Sequence, residues 1–242
     1  MSQPYRTVLV DGYISGCFGS QGAERYFSCL LKSNPIPSSR HSGREADPFV
    51  IASVPRHIRD QFPNQNAWIL DRMVMDAGTV VRQTLWTPHT VTDRRQHVED
   101  APLQMPIFFQ HTDGRLGLPL DVAISGRCHS LLNAQYFAPL GPQTTTYIRI
   151  LWPGYVEFKR QVQIKDETHQ RNTVTLSKFA QHLGRSVDAF LRSLQPDNAN
   201  PQPKWWIGGG RGIQPNEIVI IGAIQVSSGS WMPILQLNRY VL

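Results

Sequence analysis

The sequence predicts an α+β fold, in which one long amphipathic helix packs across a twisted, mostly antiparallel sheet. Three observations carry that expectation. Val156, Phe158, Arg160, Val162 and Ile164 alternate with Glu157, Lys159, Gln161, Gln163 and Lys165, the period-two pattern of a half-buried strand. Leu176, Phe179, Ala180, Leu183, Val187, Phe190, Leu191 and Leu194 recur at three- and four-residue spacing, the mark of a helix with one apolar face. Finally, a nearly continuous apolar run, Glu217 to Val226, meets a turn signal at Ser228–Gly229 and a last run from Trp231 to Val241, which reads as two strands.

Taken in order, Arg6–Val10 reads as a first strand. Gly16, Gly19 and Gly22 then lead into a short helix, AERYFSCLLKS, which stops before Asn34 and Pro35. Ile36–Pro48 is a polar loop of turn formers, and Phe49–Val54 and Trp68–Met75 are further strands. Thr87–Pro102 is a long polar connection holding Arg94, Arg95, His97, Glu99 and Asp100, a solvated mixed-charge stretch. Asp113–Gly114 is a hairpin turn between two apolar runs, and Pro153–Gly154 repeats that design within Thr145–Asp166. The main helix is capped by Thr175 and stopped by Pro196; Gly184 weakens it, as a strand passing close would require. The chain reads as a single domain over 1–242, with 1–100 open as a loosely attached N-terminal subdomain.

The net charge of +6 rests almost wholly on arginine, which accounts for 19 of the 24 basic residues. Such an excess draws anionic partners by long-range attraction. Cys17, Cys29 and Cys128 form no CxxC pair and are too scattered for a disulfide framework or a zinc cluster. A reducing intracellular setting, cytoplasmic or nuclear, is therefore expected. The N-terminus has no basic region followed by an apolar core, and no apolar run approaches the roughly 20 residues of a membrane helix. Secreted disulfide scaffolds and membrane-spanning classes are thus set aside.

Three stretches carry a resemblance: Trp152-Pro153-Gly154-Tyr155, the helix opening TVTLSKFAQHL, and the closing NEIVIIGAIQVSSGSWMP. Over roughly Tyr147–Val241 the chain is similar to an uncharacterised family of predicted proteins from mushroom-forming fungi. That family has a WPGY-type strand, a T-x-x-x-L-A-type helix and a strand ending VS-x-GSW. Phe179–Ala180 stands here where the family has Leu–Ala. The resemblance implies a eukaryotic, intracellular setting and no particular activity.

The stretch that looks most like a site is KWWIGGGRGI, Lys204–Ile213. Trp205 and Trp206 offer faces for stacking, and Arg211 adds charge beside backbone amides that glycines leave accessible. The competing reading is structural: one tryptophan plugs the sheet while the glycines reverse the chain. No helix follows, so the P-loop arrangement does not apply. A rival site is Ser15–Gly22, whose Gly16, Gly19 and Gly22 resemble the TGxxGxxG signature of short-chain dehydrogenases. Tyr155 and Lys159 resemble that family's Tyr-x-x-x-Lys pair, which implies an NAD(P)-dependent oxidoreductase. His111, Asp113, Asp121, Cys128 and His129, with His97 or His169, are the remaining metal or thiol resource, and no cofactor or metal is expected from their spacing.

The leading expectation is a non-enzymatic binding or assembly protein contacting a protein or nucleic-acid partner through Trp205, Trp206 and Arg211, with self-association open. The alternative is the oxidoreductase using Gly16, Gly19, Gly22, Tyr155 and Lys159.

Overall fold

The structure, a computed structural model, describes residues 12–33, 50–51, 68–69, 71–74, 78–88, 101–166, 169–194 and 202–239. The strand expected at Arg6–Val10 and the charged stretch from Arg94 to Asp100 lie outside them.

At the centre is a hairpin of β8 (Ile218–Ser227) and β9 (Ser230–Leu237), turned at Ser228–Gly229 as expected. β9 pairs in parallel with β6 (Thr145–Ile150), and β6 pairs antiparallel with β7 (Phe158–Gln163) across the Trp152–Tyr155 turn. Three shorter strands fill the borders: β3 (Thr79–Val80) on β9, and β4 (Ile107–Phe108) and β5 (Leu118–Pro119) on β8. The result is a seven-stranded sheet, antiparallel except at β6–β9. Val50–Ile51 (β1) and Trp68–Ile69 (β2) pair in parallel as a separate two-stranded ribbon.

The Pro233 ring interrupts neither ladder. Its backbone faces the gap on β9 between β3 and β6, where its carbonyl accepts the Gln83 side-chain amide at 2.7 Å. No strand there needs the N–H that proline lacks. The Gln83 Oε1 in turn accepts the Leu151 amide at 3.1 Å, so one side chain bridges the break between two neighbouring strands.

Both faces of the hairpin are buried, which explains its near-continuous apolar sequence. Ile218, Ile220, Ala223, Trp231, Leu235 and Leu237 face one side, under α3 (Leu176–Ser193) and the short α2 (Leu120–Ser125). Ile221, Ile224, Met232 and Ile234 face the other, under α1 (Tyr13–Ser33). A register shift between Ile220 and Gly222 places one extra residue in β8 and resets its in–out phase.

The long helix and the Pro153–Gly154 hairpin follow the sequence expectation, and Thr175 caps α3 by accepting the Lys178 amide at 3.3 Å. Three local readings are corrected and one is narrowed. First, Gly16, Gly19 and Gly22 lie inside α1, not ahead of it; only Gly19, at φ 71°, ψ 164°, leaves the helical conformation and breaks the helix. Second, the hairpin at Asp113–Gly114 forms but stays short, held by the Gln110–Leu116 bridge and by the His111 and Gly117 amides on the Arg115 and Phe109 carbonyls. β4 and β5 follow one another along the same edge of β8, and residues 110–117 fold out between them as a small ear closed by the Gln110–Leu116 bridge. Third, LDVAIS is a helix, α2, started by Pro119 and ended by Gly126. Fourth, what passes close to Gly184 is that helix and no strand: a Cβ there would lie 2.8 Å from the Ala123 Cβ.

Candidate functional site

The WPGY turn and the KWW loop, far apart in sequence, form one structure. In the turn, Gly154 adopts φ 82° and the Tyr155 amide donates to the Trp152 carbonyl at 3.0 Å. The Trp152 indole N–H then donates to the Trp205 carbonyl at 3.0 Å, and the Tyr155 hydroxyl accepts the Ile207 amide at 2.9 Å. Underneath, Phe190 of α3 meets the rings of Trp152, Tyr155 and Phe158 at 5.8–6.1 Å between centroids. Aromatic packing and two cross-loop hydrogen bonds thus hold the two segments together.

This placement separates the two tryptophans. Trp205 is 4% exposed and belongs to the core, whereas Trp206, the next residue, is 57% exposed. The expectation of two aromatics facing a partner is therefore corrected: one plugs the fold, and Trp206 alone is offered. Gly208 and Gly209, at φ 82° and 65°, make the reversal that brings Ile213 back to Trp206, with the Ile213 amide on the Trp206 carbonyl at 2.7 Å. Those angles suit glycine and few other residues. Arg211 sits exposed on the same turn.

Between the WPGY turn, the start of the KWW loop and the extended segment after β3 runs a groove of about 690 Å³. Arg82, Gln83, Thr84, Glu157, Gln202 and Lys204 supply its polar lining, and Trp152 and Trp205 its apolar part. Arg82 and Lys204 are exposed, and the Lys204 ammonium stands 5.6 Å from the Trp205 ring centre. Glu157 is bound by Arg149, whose guanidinium lies 4.0 Å over the Trp86 ring and donates to Ser230 at 3.0 Å. The carboxylate is thereby neutralised, and the groove keeps a positive rim.

Arg82 and Gln83 escaped the sequence reading because their alternation shows only in the structure. In Val81-Arg82-Gln83-Thr84 the buried and exposed residues alternate with period two. The segment was passed over because a polar residue, Gln83, holds one of the buried positions.

The oxidoreductase constellation is not assembled. The three glycines lie within α1 and not in a loop between a strand and a helix, and the Gly16 amide is already donated to the Gly12 carbonyl at 2.8 Å. Tyr155 lies in a hairpin turn with its hydroxyl engaged by Ile207, and Lys159 lies on β7. Nor do the histidines converge: no three His, Cys, Asp or Glu side chains among the described residues are placed to hold a metal ion. The His111 Nε2 contacts the Gly117 carbonyl at 2.6 Å, Asp113 pairs with Arg115 at 2.8 Å, Cys128 is buried, and Asp121, His129 and His169 are exposed.

The displaced titrations have structural causes. Burial pushes the Cys17 thiol up to about 12 and lowers the half-buried His182 to about 4. Burial also raises Asp71 to about 6, against the backbone amides that hydrogen-bond it. Among the described residues no helix is long and apolar enough to cross a membrane. Comparison with protein-family models, with curated proteins and with solved structures finds no match.

Proposed function

We propose that the protein is a non-enzymatic binding protein that takes a single-stranded nucleic acid along the groove and the turn beside it. One observation carries the reading, a positive rim with no acidic partner among the described residues. Arg82 and Lys204 line the groove, while Glu157 is already matched by Arg149. Exposed Trp206 and Arg211 follow Lys204 on the same loop. A base stacked on an exposed indole contributes about 1–3 kcal/mol, and phosphates held by arginine and lysine release counterions. Among the described residues, no group with a displaced titration, Asp71, Cys17 and His182 included, lines the groove, which favours binding over catalysis. The free cysteines fit an intracellular, cytoplasmic or nuclear setting.

The test is titration of a labelled oligouridylate and its deoxy counterpart over a range of salt. Trp206→Ala is expected to weaken binding about ten-fold with an unchanged circular dichroism spectrum, and Arg82→Ala to flatten the salt slope. Affinity that does not change with salt, or a Trp206→Ala variant that binds like the parent, overturns the proposal.

A further inference from the structure

β7 is an edge strand: among the described residues it pairs with β6 alone. Two hydrogen bonds fix which way its backbone points. The Ile164 amide donates to the Thr144 carbonyl at 2.9 Å, and the Tyr147 amide to the Gly229 carbonyl at 2.9 Å. In an antiparallel ladder the backbone groups of successive residues turn to alternate sides. Phe158, Arg160 and Val162 therefore turn theirs toward β6, and Lys159, Gln161 and Gln163 turn theirs outward. All three of the outward residues are exposed. The open row ends at Gln163, because beyond it the Ile164 carbonyl accepts the Val174 amide at 3.0 Å and the Asp166 amide donates to Asn172 at 2.8 Å.

α3 runs antiparallel along this strand. Phe190 meets Phe158, the Arg160 guanidinium donates to the Arg185 carbonyl at 2.7 Å, and Lys178 and His182 line a pocket of about 390 Å³ together with Gln163 and Lys165. Lys178, His182 and Arg185 thus form one stripe of α3 that flanks the open edge. Phe137, 60% exposed, and Val174 supply the apolar wall of the pocket. Lys159, Arg160, Lys165, Lys178 and Arg185 have no acidic partner among the described residues, and Asp166 is the one carboxylate in the pocket lining. His182 registers the excess of positive charge: burial first, and then Lys178, Arg185 and Arg160, lower it to about 4.

We infer that the outer edge of β7 takes an acidic, extended segment of a partner protein as an added strand, its carboxylates on the cations of β7 and α3. Such a segment brings a donor and an acceptor at alternate residues, which is what an open edge lacks. Phosphates only accept, so a nucleic acid cannot complete the row. A second copy of β7 would set Lys159 and Arg160 against their own kind, so the charge that repels self-pairing selects an acidic strand. Alternate side chains of that strand face α3, and one beside Gln163 reaches the pocket at Phe137 and Val174. The edge and its pocket share no residue with the groove.

The probe is a labelled heptapeptide alternating glutamate and valine, titrated into the full chain by fluorescence anisotropy. It is expected to bind about ten-fold more tightly than the same peptide with lysine for glutamate, and to slow hydrogen exchange at the Lys159, Gln161 and Gln163 amides. Two further peptides carry N-methyl groups, one on its glutamates and the other on its valines. Methylation of the set that faces β7 should weaken binding about ten-fold, and methylation of the other set should leave it unchanged. Lys178→Glu should weaken the parent peptide about ten-fold with no loss of stability, since glutamate three residues after Thr175 completes a capping box. Gln161→Pro removes an outward N–H and no ladder bond, and should weaken it to a similar degree. The peptide comparisons use the parent chain and hold if that variant fails to fold. No binding, equal effects of the two methylations, or exchange slowed at these amides by oligouridylate and not by the peptide, overturns the inference.

Discussion

The two long helices cover opposite faces of one sheet and begin in opposite ways. α3 is started locally: Thr175, the residue before it, caps an amide three positions on, and Phe179, Leu183, Val187 and Phe190 bury one stripe. α1 is started from a distance. Asp71, wholly buried, accepts the Ile14 amide at 3.0 Å and its own neighbour's amide, Arg72, at 2.7 Å. Gly12 must be glycine because a Cβ there would collide with that carboxylate. The charge sits where the helix dipole favours an anion, but nothing within α1 supplies it. One helix is a property of its own sequence, while the other depends on a residue 57 positions away.

Removing the two caps measures that difference. Thr175→Ala deletes one neutral hydrogen bond and should lower stability by about 1 kcal/mol in urea denaturation. Asp71→Ala deletes several charge-assisted bonds at once and leaves buried amides of α1 unpaired, so a loss of about 4 kcal/mol is expected. The loss should also expose Tyr13, Ile14, Cys17 and Phe18, which α1 packs against the sheet. Equal losses from the two variants would show that the distant cap is no more than a local one.

The same carboxylate gives the comparison a pH dependence. Burial raises Asp71 from 3.8 to about 6, so between those values the folded chain holds a proton that the unfolded chain has released. Its contribution to stability is therefore complete below about pH 4 and lost as the pH rises through 6. At 1.36 kcal/mol per pH unit this amounts to about 3 kcal/mol. Unfolding measured at intervals from pH 4 to 7 should show that fall in the parent chain. Asp71→Asn should flatten it, and Thr175→Ala should leave it untouched. A parent curve parallel to that of Asp71→Asn refutes the assignment.

How far each part could be read in the sequence follows from the same contrast. β7 and α3 were legible because each repeats a period along a contiguous stretch, β8 and β9 because each is a nearly unbroken apolar run, and the Ser228–Gly229 and Pro153–Gly154 turns are local. The helical half of α1 after Gly22 was legible as well, but its first turns were taken for a loop. Three glycines weigh against a helix, and the carboxylate that fixes its start lies far along the chain. The ear was legible only in part for a related reason: Asp113–Gly114 makes the turn and the residues beside it pair, yet the outer parts of the flanking runs pair with β8, far along the chain. The site divided in the same way. Trp205, Trp206, Arg211 and Tyr155 were singled out by residue type, but which tryptophan faces solvent depends on Trp152 and Phe190 beneath them.

Gly184 puts a sign, not only a size, on the comparison. In an isolated helix, replacing an interior glycine with alanine stabilises by about 1 kcal/mol. Were α3 wholly a local element, Gly184→Ala would strengthen it. Its backbone, however, lies against α2, where the new methyl would stand 2.8 Å from both the Ala123 Cβ and the Ile124 amide nitrogen. Backbone cannot yield as a flexible side chain does, and overpacking of this kind costs about 1–3 kcal/mol. The expected outcome is a net loss near 1 kcal/mol, read as a lower urea midpoint at unchanged slope. A midpoint that rises would mean that α2 moves aside freely, and that α3 owes its position to its own sequence as fully as it owes its start to Thr175.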